Sequence, residues 1–344
     1  MDFSHAKAFH PKKASESEFV ALHTFENQIR AEQWPEDSPF PLEEVVQNLR
    51  FTPPFADIYW WLAWLADGKT IAGRARLLLY RTEQNRQLAE FEVAVLPKMR
   101  RQGIATDLLK LVAEQAQQEN RRLLQAHTDL SSGEAFMKRL GARMGMASHT
   151  NQLNLAELDR NLIYHWQERA PVTQFELGLW KGTYPEEEIE SVAALVKVMN
   201  TEPRDDLELE DWHWTAEHLR QWQASLRQRK VQQWSMYARE IATGQFAGYT
   251  EVFWTPHRPE VLQQGDTGVF PEYRHRGLGR WLKAAMLEKI LCDRTQVKRI
   301  RTGNADSNGP MLKINHELGF KPYKSWSTWQ IELGRVLEYL KSSG

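Results

Sequence analysis

An internal repeat is the feature that most limits what this sequence can fold into. Three short patterns in the first half of the chain recur in the second half. The corresponding glycines are separated by 175, 174 and 178 positions, and they pair Gly73 with Gly248, Gly103 with Gly277, and Gly141 with Gly319. Because this offset is nearly constant and close to half of the 344 residues, the sequence predicts one fold duplicated in tandem.

Each copy of the repeat has the order strand, short basic loop, helix. In the second copy the strand ends near Val269, Pro271 follows, and Gly277 and Gly279 stand where the helix would start. A helix start presents unpaired backbone N–H groups and the positive end of the helix dipole, and glycines let a ligand approach closely. The loops therefore predict pyrophosphate sites, with a plain basic turn capping a helix as the simpler alternative. Neither loop has the Walker or the dinucleotide-binding pattern.

The loop pattern resembles a known family. Arg-x-x-Gly-x-Gly or Ala after a strand ending in Val-x-Pro is similar to the acetyl-CoA pyrophosphate loop of the acetyltransferase (GNAT) superfamily, whose founding members acetylate histone lysines and aminoglycosides. Residues 302–320 resemble the end of that fold in tandem acetyltransferases such as mycothiol synthase. The resemblance spans nearly the whole chain. It implies an α/β fold with two tandem GNAT-like domains, each a mixed, mostly antiparallel central sheet flanked by helices.

The resemblance also implies where acetyl-CoA binds. Backbone N–H groups near Val95 and Val269 would donate to the thioester oxygen, and both loops would hold pyrophosphate. In the second copy the implied cofactor-binding residues are Val269, Arg274, His275, Arg276, Gly277, Leu278, Gly279, Arg280, Asn304 and Asn308. In the first copy they are Val95, Arg100, Arg101, Gln102, Gly103, Ile104 and Ala105. The simpler interpretation of Asn308, a helix cap, is compatible with a contact to the pantetheine arm.

A carboxylate recurs in the strand that leads into each loop. Asp266 lies on the strand face opposite Val269, and Glu92 occupies the matching place in the first copy. On the preceding strand, Glu251 corresponds to Arg76. We expect Glu251 to raise the pKa of Asp266, or to have its own pKa raised, and Arg76 to lower the pKa of Glu92. Asp266 and Glu251 are therefore the predicted catalytic residues; exposed strand carboxylates are the alternative.

The sequence departs from the family pattern at the position of the general acid. Many members of the family place a tyrosine four residues before the glycine of the final Leu-Gly-Phe pattern. In this chain that glycine is Gly141 or Gly319, and the residues four positions before them are Met137 and Asn315. Neither side chain can give a proton to a thiolate. Tyr273 and Tyr323 are nearby in sequence, with packing as the simpler interpretation of both. Because a thiolate near a helix dipole can leave with water as its proton source, we expect a route without tyrosine.

Length and composition fit two globular domains. Of the 344 residues, 42% are hydrophobic and 26% charged, and the net charge is −1, which gives no field for nucleic acid or an anionic membrane. No apolar run approaches the roughly 20 residues that cross a bilayer, residues 1–5 lack the apolar core of a signal peptide, and the single cysteine excludes an internal disulfide. We expect a cytoplasmic monomer or homodimer without a metal, nucleic-acid or membrane partner.

The periodic patterns place domains at residues 1–155 and 172–344, joined by a linker helix over 156–171. Predicted strands are 58–66, 70–80, 88–95, 123–128, 146–155, 231–241, 246–254 and 261–270. Predicted helices are 17–32, 41–49, 100–118, 134–140, 186–199 and 210–229. Residues 200–211, rich in Asp and Glu, would form a solvated connection near the acceptor site, where their charges could hold a cationic substrate.

The predicted function is an acyl-CoA-dependent N-acyltransferase. It would transfer acetyl from acetyl-CoA to the primary amine of a small soluble acceptor by direct attack, with the C-terminal domain catalytic. Two alternatives stay open: a CoA-binding sensor or scaffold without turnover, and a long-chain acyl or aminoacyl transferase on a similar tandem fold. The two intact loops argue against the second alternative, and the missing acid keeps the first one open. The sequence does not identify the acceptor.

Overall fold

The computed structural model describes residues 6–343, so the prediction for a signal peptide in residues 1–5 lies outside the described residues. The chain forms two compact units. Unit 1 comprises the chain up to Met146, Asp206–Glu210 and the chain from Trp326 onwards; unit 2 comprises Ala147–Asp205 and Asp211–Ser325. Neither unit is a contiguous half of the chain, in contrast to the predicted division into residues 1–155 and 172–344.

The elements alternate between strands and helices along the whole chain. The strands are β1 (Lys7–Phe9), β2 (Ala56–Trp64), β3 (Ile71–Tyr80), β4 (Leu88–Val95), β5 (Leu123–Thr128), β6 (Arg143–Asn154), β7 (Phe175–Lys181), β8 (Gln232–Glu240), β9 (Phe246–Trp254), β10 (Val261–Val269), β11 (Arg299–Ala305) and β12 (Lys321–Glu332). The helices are α1 (Glu16–Gln33), α2 (Leu42–Arg50), α3 (Ile104–Gln118), α4 (Ser131–Arg139), α5 (Arg160–Glu168), α6 (Ile189–Leu195), α7 (Ala216–Gln228), α8 (Leu278–Asp293), α9 (Gly309–Glu317) and α10 (Leu333–Ser343).

Each unit receives one strand from the other half of the chain. Residues 148–154 of β6 pair with β11 in unit 2, and residues 327–332 of β12 pair with β5 in unit 1. The strand order is β1-β2-β3-β4-β5-β12 in unit 1 and β6-β11-β10-β9-β8-β7 in unit 2. Among the strand pairs within each unit in residues 6–343, β4 with β5 and β10 with β11 are parallel and the others are antiparallel. Both sheets are mixed and mostly antiparallel, which confirms the predicted fold class.

The helices that follow the two basic loops lie at the centre of each core. In α3, Leu108, Leu109 and Val112 are buried, and the helix packs on β3 and β4. In α8, Leu282 is buried, and the helix packs on β8, β9 and β10. The position that Leu109 holds in α3 is taken by Lys283 in α8, and this lysine is only 2% exposed. One repeat therefore carries a charge-bearing group where the other has a core leucine.

Some elements differ from the sequence-based predictions. The predicted linker helix is α5, which is part of unit 2: its Ile163 lies in the core, and the Arg280 guanidinium lies 5.5 Å from the centre of the Trp166 ring. The helix predicted from residue 210 begins only after Thr215, which forms a capping box with His218. Strands β1, β7, β11 and β12 and helix α10 were not predicted. Within residues 6–343, each helix is too short or too polar to cross a membrane.

Candidate active site

In both units the two parallel strands separate on the way to the basic loop. β10 and β11 pair only through residues 261–263 and 299–301, although β10 continues to Val269 and β11 to Ala305. β4 and β5 pair only through residues 88–90 and 123–125. We call the gap beyond those pairs the crevice of each unit. Along it, the facing strand edges in the described chain do not pair with each other, so their N–H and C=O groups are open to a ligand.

The last residue of each crevice strand directs its backbone polar groups into the crevice. The Phe270 N–H donates to the Ala247 carbonyl on β9 (3.0 Å), so strand alternation turns the N–H and C=O of Val269 away from β9. In unit 1 the Leu96 N–H donates to β3 in the same way (3.0 Å), which turns Val95 towards its crevice. The geometry therefore suits both valine N–H groups to the predicted contact with a thioester oxygen.

The two basic loops share one backbone conformation. Arg101 and His275 both have φ of 63°, and two residues later Gly103 and Gly277 have φ of 87° and 83°. Each glycine is the N-cap of its helix and brings no side chain to bond the first-turn N–H groups. A Cβ at either glycine would meet nothing within 4 Å. Glycine is thus needed for its positive φ, and the space over the helix start is open to a pyrophosphate.

The first arginine of each loop holds the end of the strand. The Nε groups of Arg100 and Arg274 donate to the carbonyls of Val95 (3.1 Å) and Val269 (2.9 Å). The Arg100 guanidinium also pairs with the Glu32 carboxylate (2.7 Å), whereas Arg274 donates to a threonine hydroxyl (2.6 Å). A carboxylate therefore neutralises the charge of Arg100 in the first loop, whereas the described partners of Arg274 in the second loop are uncharged. Donation by these arginines to a pyrophosphate remains a prediction.

The other predicted loop side chains have different environments. Leu278 and Ile104 are buried core residues, so only their backbone N–H groups can reach a ligand. The exposed Arg276 guanidinium lies 5.6 Å from the centre of the Tyr273 ring. Arg280 pairs with a glutamate of α9 (2.8 Å). The backbone of the loop is therefore the better-defined part of the candidate pyrophosphate site.

The second position of each helix differs between the loops. A Cβ at Gly279 would lie 3.4 Å from the Ile314 Cδ1 atom, so α9 approaches α8 closely there. Ala105 stands at the matching place in unit 1. The Gln102 side chain donates to the Lys98 carbonyl (3.3 Å) and so closes its own loop. In each unit, the N-cap glycine leaves the N–H groups at the start of the helix without a capping side chain.

Three asparagines form a buried network beside the crevice strand β11. The Asn304 Oδ1 atom accepts from the side-chain amides of Asn315 (2.9 Å) and Asn151 (3.2 Å). Within the described chain the Nδ2 group of Asn304 has no partner, so it can donate to a ligand. Asn308 caps α9 by accepting from the Met311 N–H (3.3 Å). The contact of Asn304 and Asn308 with a pantetheine arm remains a prediction, and Asn308 has the cap role already.

A β-bulge distinguishes the second crevice strand from the first. The register of β9 with β10 shifts between residues 264 and 267, so Gly265 and Asp266 together lie opposite Glu251. A Cβ on Gly265 would lie 3.1 Å from the Glu251 Oε1 atom, so this glycine leaves room for the carboxylate. In unit 1 the register is continuous, with Arg76 directly opposite Glu92. At this point, therefore, two residues of β10 lie opposite one residue of β9, whereas one residue of β4 lies opposite one residue of β3.

The carboxylates of unit 2 lie in an environment without compensating cations. Glu251 is 9% exposed and accepts from the Gln233 amide (2.6 Å); burial, and then the Asp266 charge, raise the pKa of Glu251 to about 8. Burial also raises the pKa of Asp266, which accepts from the Tyr249 hydroxyl (3.0 Å). Glu202 keeps contact with solvent, yet desolvation by the surrounding protein, and then Asp266, raise its pKa to about 7.

The matching carboxylate of unit 1 is held in an ion pair. Burial alone would raise the pKa of Glu92, but Arg74 (2.7 Å) and Arg76 (3.6 Å) outweigh it and lower the pKa to about 2. The predicted effect of Arg76 is therefore present, with the larger contribution from Arg74. Arg74 occupies the strand position that Tyr249 occupies in unit 2, and it also pairs with Glu26. Glu92 is thus fixed as a weakly basic carboxylate.

The predicted lack of a tyrosine acid agrees with the packing. Met137 is a core residue of unit 1, and Asn315 is fully buried in the asparagine network. The Tyr273 hydroxyl donates to Glu240 (3.4 Å), and its ring packs edge-on against another aromatic ring. The Arg301 guanidinium lies 4.8 Å from the centre of the Tyr323 ring. Both tyrosines therefore have packing roles, the simpler interpretation of each.

The comparisons with known proteins agree with this geometry. The profile of the Acetyltransferase (GNAT) family matches residues 21–142 and residues 196–320. The chain belongs to the GNAT family. The two matches cover one repeat each, so this is a tandem GNAT protein, and members of the family use acetyl-CoA as acyl donor. A sequence search among curated proteins finds no match.

Solved structures give the same architecture over the full length. A tandem GNAT protein from the clavulanic acid biosynthesis pathway is 27% identical, with a TM-score of 0.78 over 97% of this chain and 99% of that one. A GNAT protein from Sphaerobacter thermophilus is 16% identical, with a TM-score of 0.65 over 96% of each chain. A fungal glucosamine N-acetyltransferase region is 13% identical, with a TM-score of 0.63 over 96% of this chain and 38% of that one. The last two show the fold alone.

Sequence reasoning missed several residues that surround the carboxylates of this GNAT protein. Tyr184, Gln233 and Tyr249 lie beside Glu251 or Asp266, and Gly265 leaves the space that Glu251 fills. The one available signal was the repeat itself, since Tyr249 follows Gly248 as Arg74 follows Gly73. Glu202 belongs to the acidic segment 200–211, for which a cationic substrate was one of two predicted roles.

Proposed function

We propose that this protein is an acyl-CoA-dependent N-acyltransferase whose unit 2 transfers acetyl from acetyl-CoA to the primary amine of a small soluble acceptor. The observation that carries the proposal is the β-bulge of β10. The bulge places Asp266 of β10 opposite Glu251 of β9, and within residues 6–343 no cationic side chain pairs with either carboxylate. The N–H of Val269, the last residue of β10, turns into the crevice. Membership of the GNAT family supports the acyl-CoA donor.

In the proposed complex, the residues of unit 2 bind and orient the donor. The N–H groups at the start of α8, around Gly277 and Gly279, would hold the pyrophosphate, because the loop leaves them uncapped and the dipole adds positive potential. The pantetheine arm would lie in the crevice between β10 and β11, where Asn304 offers an amide donor. The Val269 N–H would then donate to the thioester oxygen, because strand alternation turns this N–H away from β9 and into the crevice.

The carboxylate pair would prepare the acceptor for attack. The substrate arrives as an ammonium ion and gives one proton to the pair formed by Glu251 and Asp266, directly or through a water molecule. The neutral amine then attacks the thioester carbon, and the Val269 N–H stabilises the oxyanion. As the C–S bond breaks, the thiolate leaves; the nitrogen gives its second proton to water, and water passes a proton to the thiolate. The products are the amide and free CoA.

Unit 1 is proposed to bind CoA without contributing turnover. Its loop has the same backbone conformation, so a pyrophosphate can bind the start of α3. Its carboxylate, however, is a poor base, because Arg74 and Arg76 lower the pKa of Glu92 to about 2 although burial opposes them. At neutral pH such a carboxylate accepts a proton from an ammonium ion only at a high free-energy cost. Unit 1 would therefore serve as a cofactor-holding partner.

Two measurements test this proposal. Release of free thiol from acetyl-CoA is followed with a panel of primary amines, and mass spectrometry of the products checks that the acetyl group is on nitrogen. Steady, amine-dependent release is expected; CoA binding without release for any amine would instead indicate a sensor or scaffold. Calorimetric titration with CoA is expected to give about two sites per chain. A single site would show that one of the loops is only a turn.

A further inference from the structure

The acidic site of unit 2 has more carboxyl groups than the proposed reaction uses. Glu251 and Asp266 suffice as a proton acceptor, yet Glu202 lies beside the same strand. Val198 and Met199 lie against Gly268 of β10, and Thr201 accepts from Arg274 just after that strand (2.6 Å). The Asp266 charge also raises the pKa of Glu202. None of the three carboxylates forms an ion pair within residues 6–343. Such a concentration of carboxylates is costly unless a cation joins it.

Two arginines near Glu202, one in sequence and one through its contact with Thr201, are bound elsewhere. Arg204 pairs with Asp211 (2.5 Å). Arg274, which reaches the neighbouring residue Thr201, donates to that hydroxyl and to the strand-end carbonyl. The side chains that do contact the carboxylates are neutral: a tyrosine hydroxyl on Asp266, and a carboxamide and the Ser235 hydroxyl on Glu251. The protein therefore places cations around the site without using any of them to neutralise it.

A second observation points to a ligand that brings hydrogen-bond donors. Gln233 is only 3% exposed, and its Nε2 group donates to both Glu251 (2.6 Å) and Tyr184 (3.0 Å). Its Oε1 atom is buried and accepts no hydrogen bond from any described group. A buried acceptor without a donor costs roughly 1–3 kcal/mol. A bound ammonium group, which has only donors, would satisfy both this oxygen and the carboxylates.

Unit 1 shows what the same place looks like when the protein supplies the cations. There Arg74 and Arg76 pair with Glu92, and Arg74 also contacts Glu26. In unit 2 the corresponding positions hold Tyr249 and Glu251, so two positive charges have been replaced by one neutral and one acidic side chain. Unit 2 therefore lacks the two guanidinium groups that unit 1 has at this place. A substrate with two ammonium groups can supply the missing positive charges.

We infer that the acceptor of unit 2 is a diamine, with one nitrogen acetylated at the Asp266 and Glu251 pair and a second nitrogen, protonated at neutral pH, bound by Glu202. The inference rests on the proposed function and specifies its substrate class. Glu202 suits the second nitrogen because it is the carboxylate that keeps contact with solvent and lies on the chain segment that follows α6, outside the sheet. The buried pair on β9 and β10 remains free to take the proton.

The test compares straight-chain diamines with the monoamines of the same carbon count. Thiol release is measured with 1,4-diaminobutane and n-butylamine, and with the five- and six-carbon pairs, at low and high salt. We expect kcat/KM at least about tenfold higher for the best diamine than for its monoamine, and a salt-dependent KM for the diamine. Glu202→Gln is expected to reduce that ratio about tenfold. Glu217→Gln, an exposed carboxylate of α7 in the same unit, is the matched control.

Equal kcat/KM for diamine and monoamine, or equal loss with both substrates in Glu202→Gln, would overturn the inference while leaving N-acetylation intact. Calorimetry with 1,4-diaminobutane and n-butylamine in the presence of CoA tests the same preference without turnover. Preferential diamine binding that Glu202→Gln removes supports the inference even if the reaction is different. If neither amine binds and no amine releases thiol, the proposed function itself fails.

Discussion

The buried Lys283 of α8 gives the sharpest stability prediction. Its side chain is 2% exposed, and its one described partner is the Phe320 ring, 5.8 Å from the ammonium nitrogen. Burial lowers the pKa of Lys283 from 10.5 to about 7. Replacement by leucine, the residue at the matching position 109 of unit 1, should therefore stabilise unit 2, because it removes an amine from an apolar core.

The size and pH dependence follow from the two pKa values. The folded pKa is lower than the unfolded one, so between about pH 7 and pH 10 the unfolded chain binds more protons, and the stability of the native protein rises with pH in this window. At about 1.4 kcal/mol per pKa unit, the charged lysine costs about 4 kcal/mol at pH 7 and about 2 kcal/mol at pH 9. The advantage of Lys283→Leu should shrink by that difference as the pH rises.

Urea unfolding followed by tryptophan fluorescence at pH 7, 8 and 9 measures this advantage through the midpoint and slope of the unit 2 transition. Lys283→Met, of similar length and without charge, separates the charge from the change in shape. The mirror variant Leu109→Lys should destabilise unit 1 with the same pH dependence. A Lys283→Leu protein that is no more stable than the parent, or whose advantage does not change with pH, would refute the burial argument.

Other variants test the carboxylate site. Thiol release should rise with pH along one ionisation towards about pH 8, because the raised pKa of Glu251 keeps the base protonated at lower pH. Glu251→Gln and Asp266→Asn should remove this rise and lower the rate on the order of a hundredfold. Unchanged pH profiles in both variants would place the base elsewhere. Gly265→Ala should lower thiol release about tenfold without changing CoA affinity, because the new Cβ would stand 2.6 Å from the Phe253 ring and 3.1 Å from the Glu251 carboxylate, so that both side chains would have to shift; weaker CoA binding in calorimetry would contradict this.

The sequence predicted the parts of the fold that depend on local pattern. Strands β4, β5 and β9 were placed at their observed ends, because each is an alternating or apolar run between clear turn signals. The loops at Gly103 and Gly277 were recognised from their arginine and glycine pattern, and the positive φ of both glycines gives the physical reason for it. The family followed from the loops and the repeat, and the profile match confirms it.

What the sequence could not show depends on long-range pairing. The exchange of β6 and β12 between the halves of the chain leaves no local pattern, because a strand looks the same whichever neighbour it pairs with. The same holds for the bulge at Gly265. The repeat offset matched Asp266 with Glu92, but it did not show that β10 has an extra residue opposite Glu251. The ion pair of Glu92 with Arg74 also needed the register of β3 with β4.

The central claim, that turnover belongs to unit 2, is tested most directly by thiol release from Gly103→Glu and Gly277→Glu, measured side by side with the preferred amine. Each variant places a carboxylate where a pyrophosphate should bind, and Gly103→Ala and Gly277→Ala control for the strain of a side chain at these positive φ angles. The account predicts that Gly277→Glu abolishes release while Gly103→Glu retains most of it. Loss of release in folded Gly103→Glu together with full activity in Gly277→Glu would contradict it.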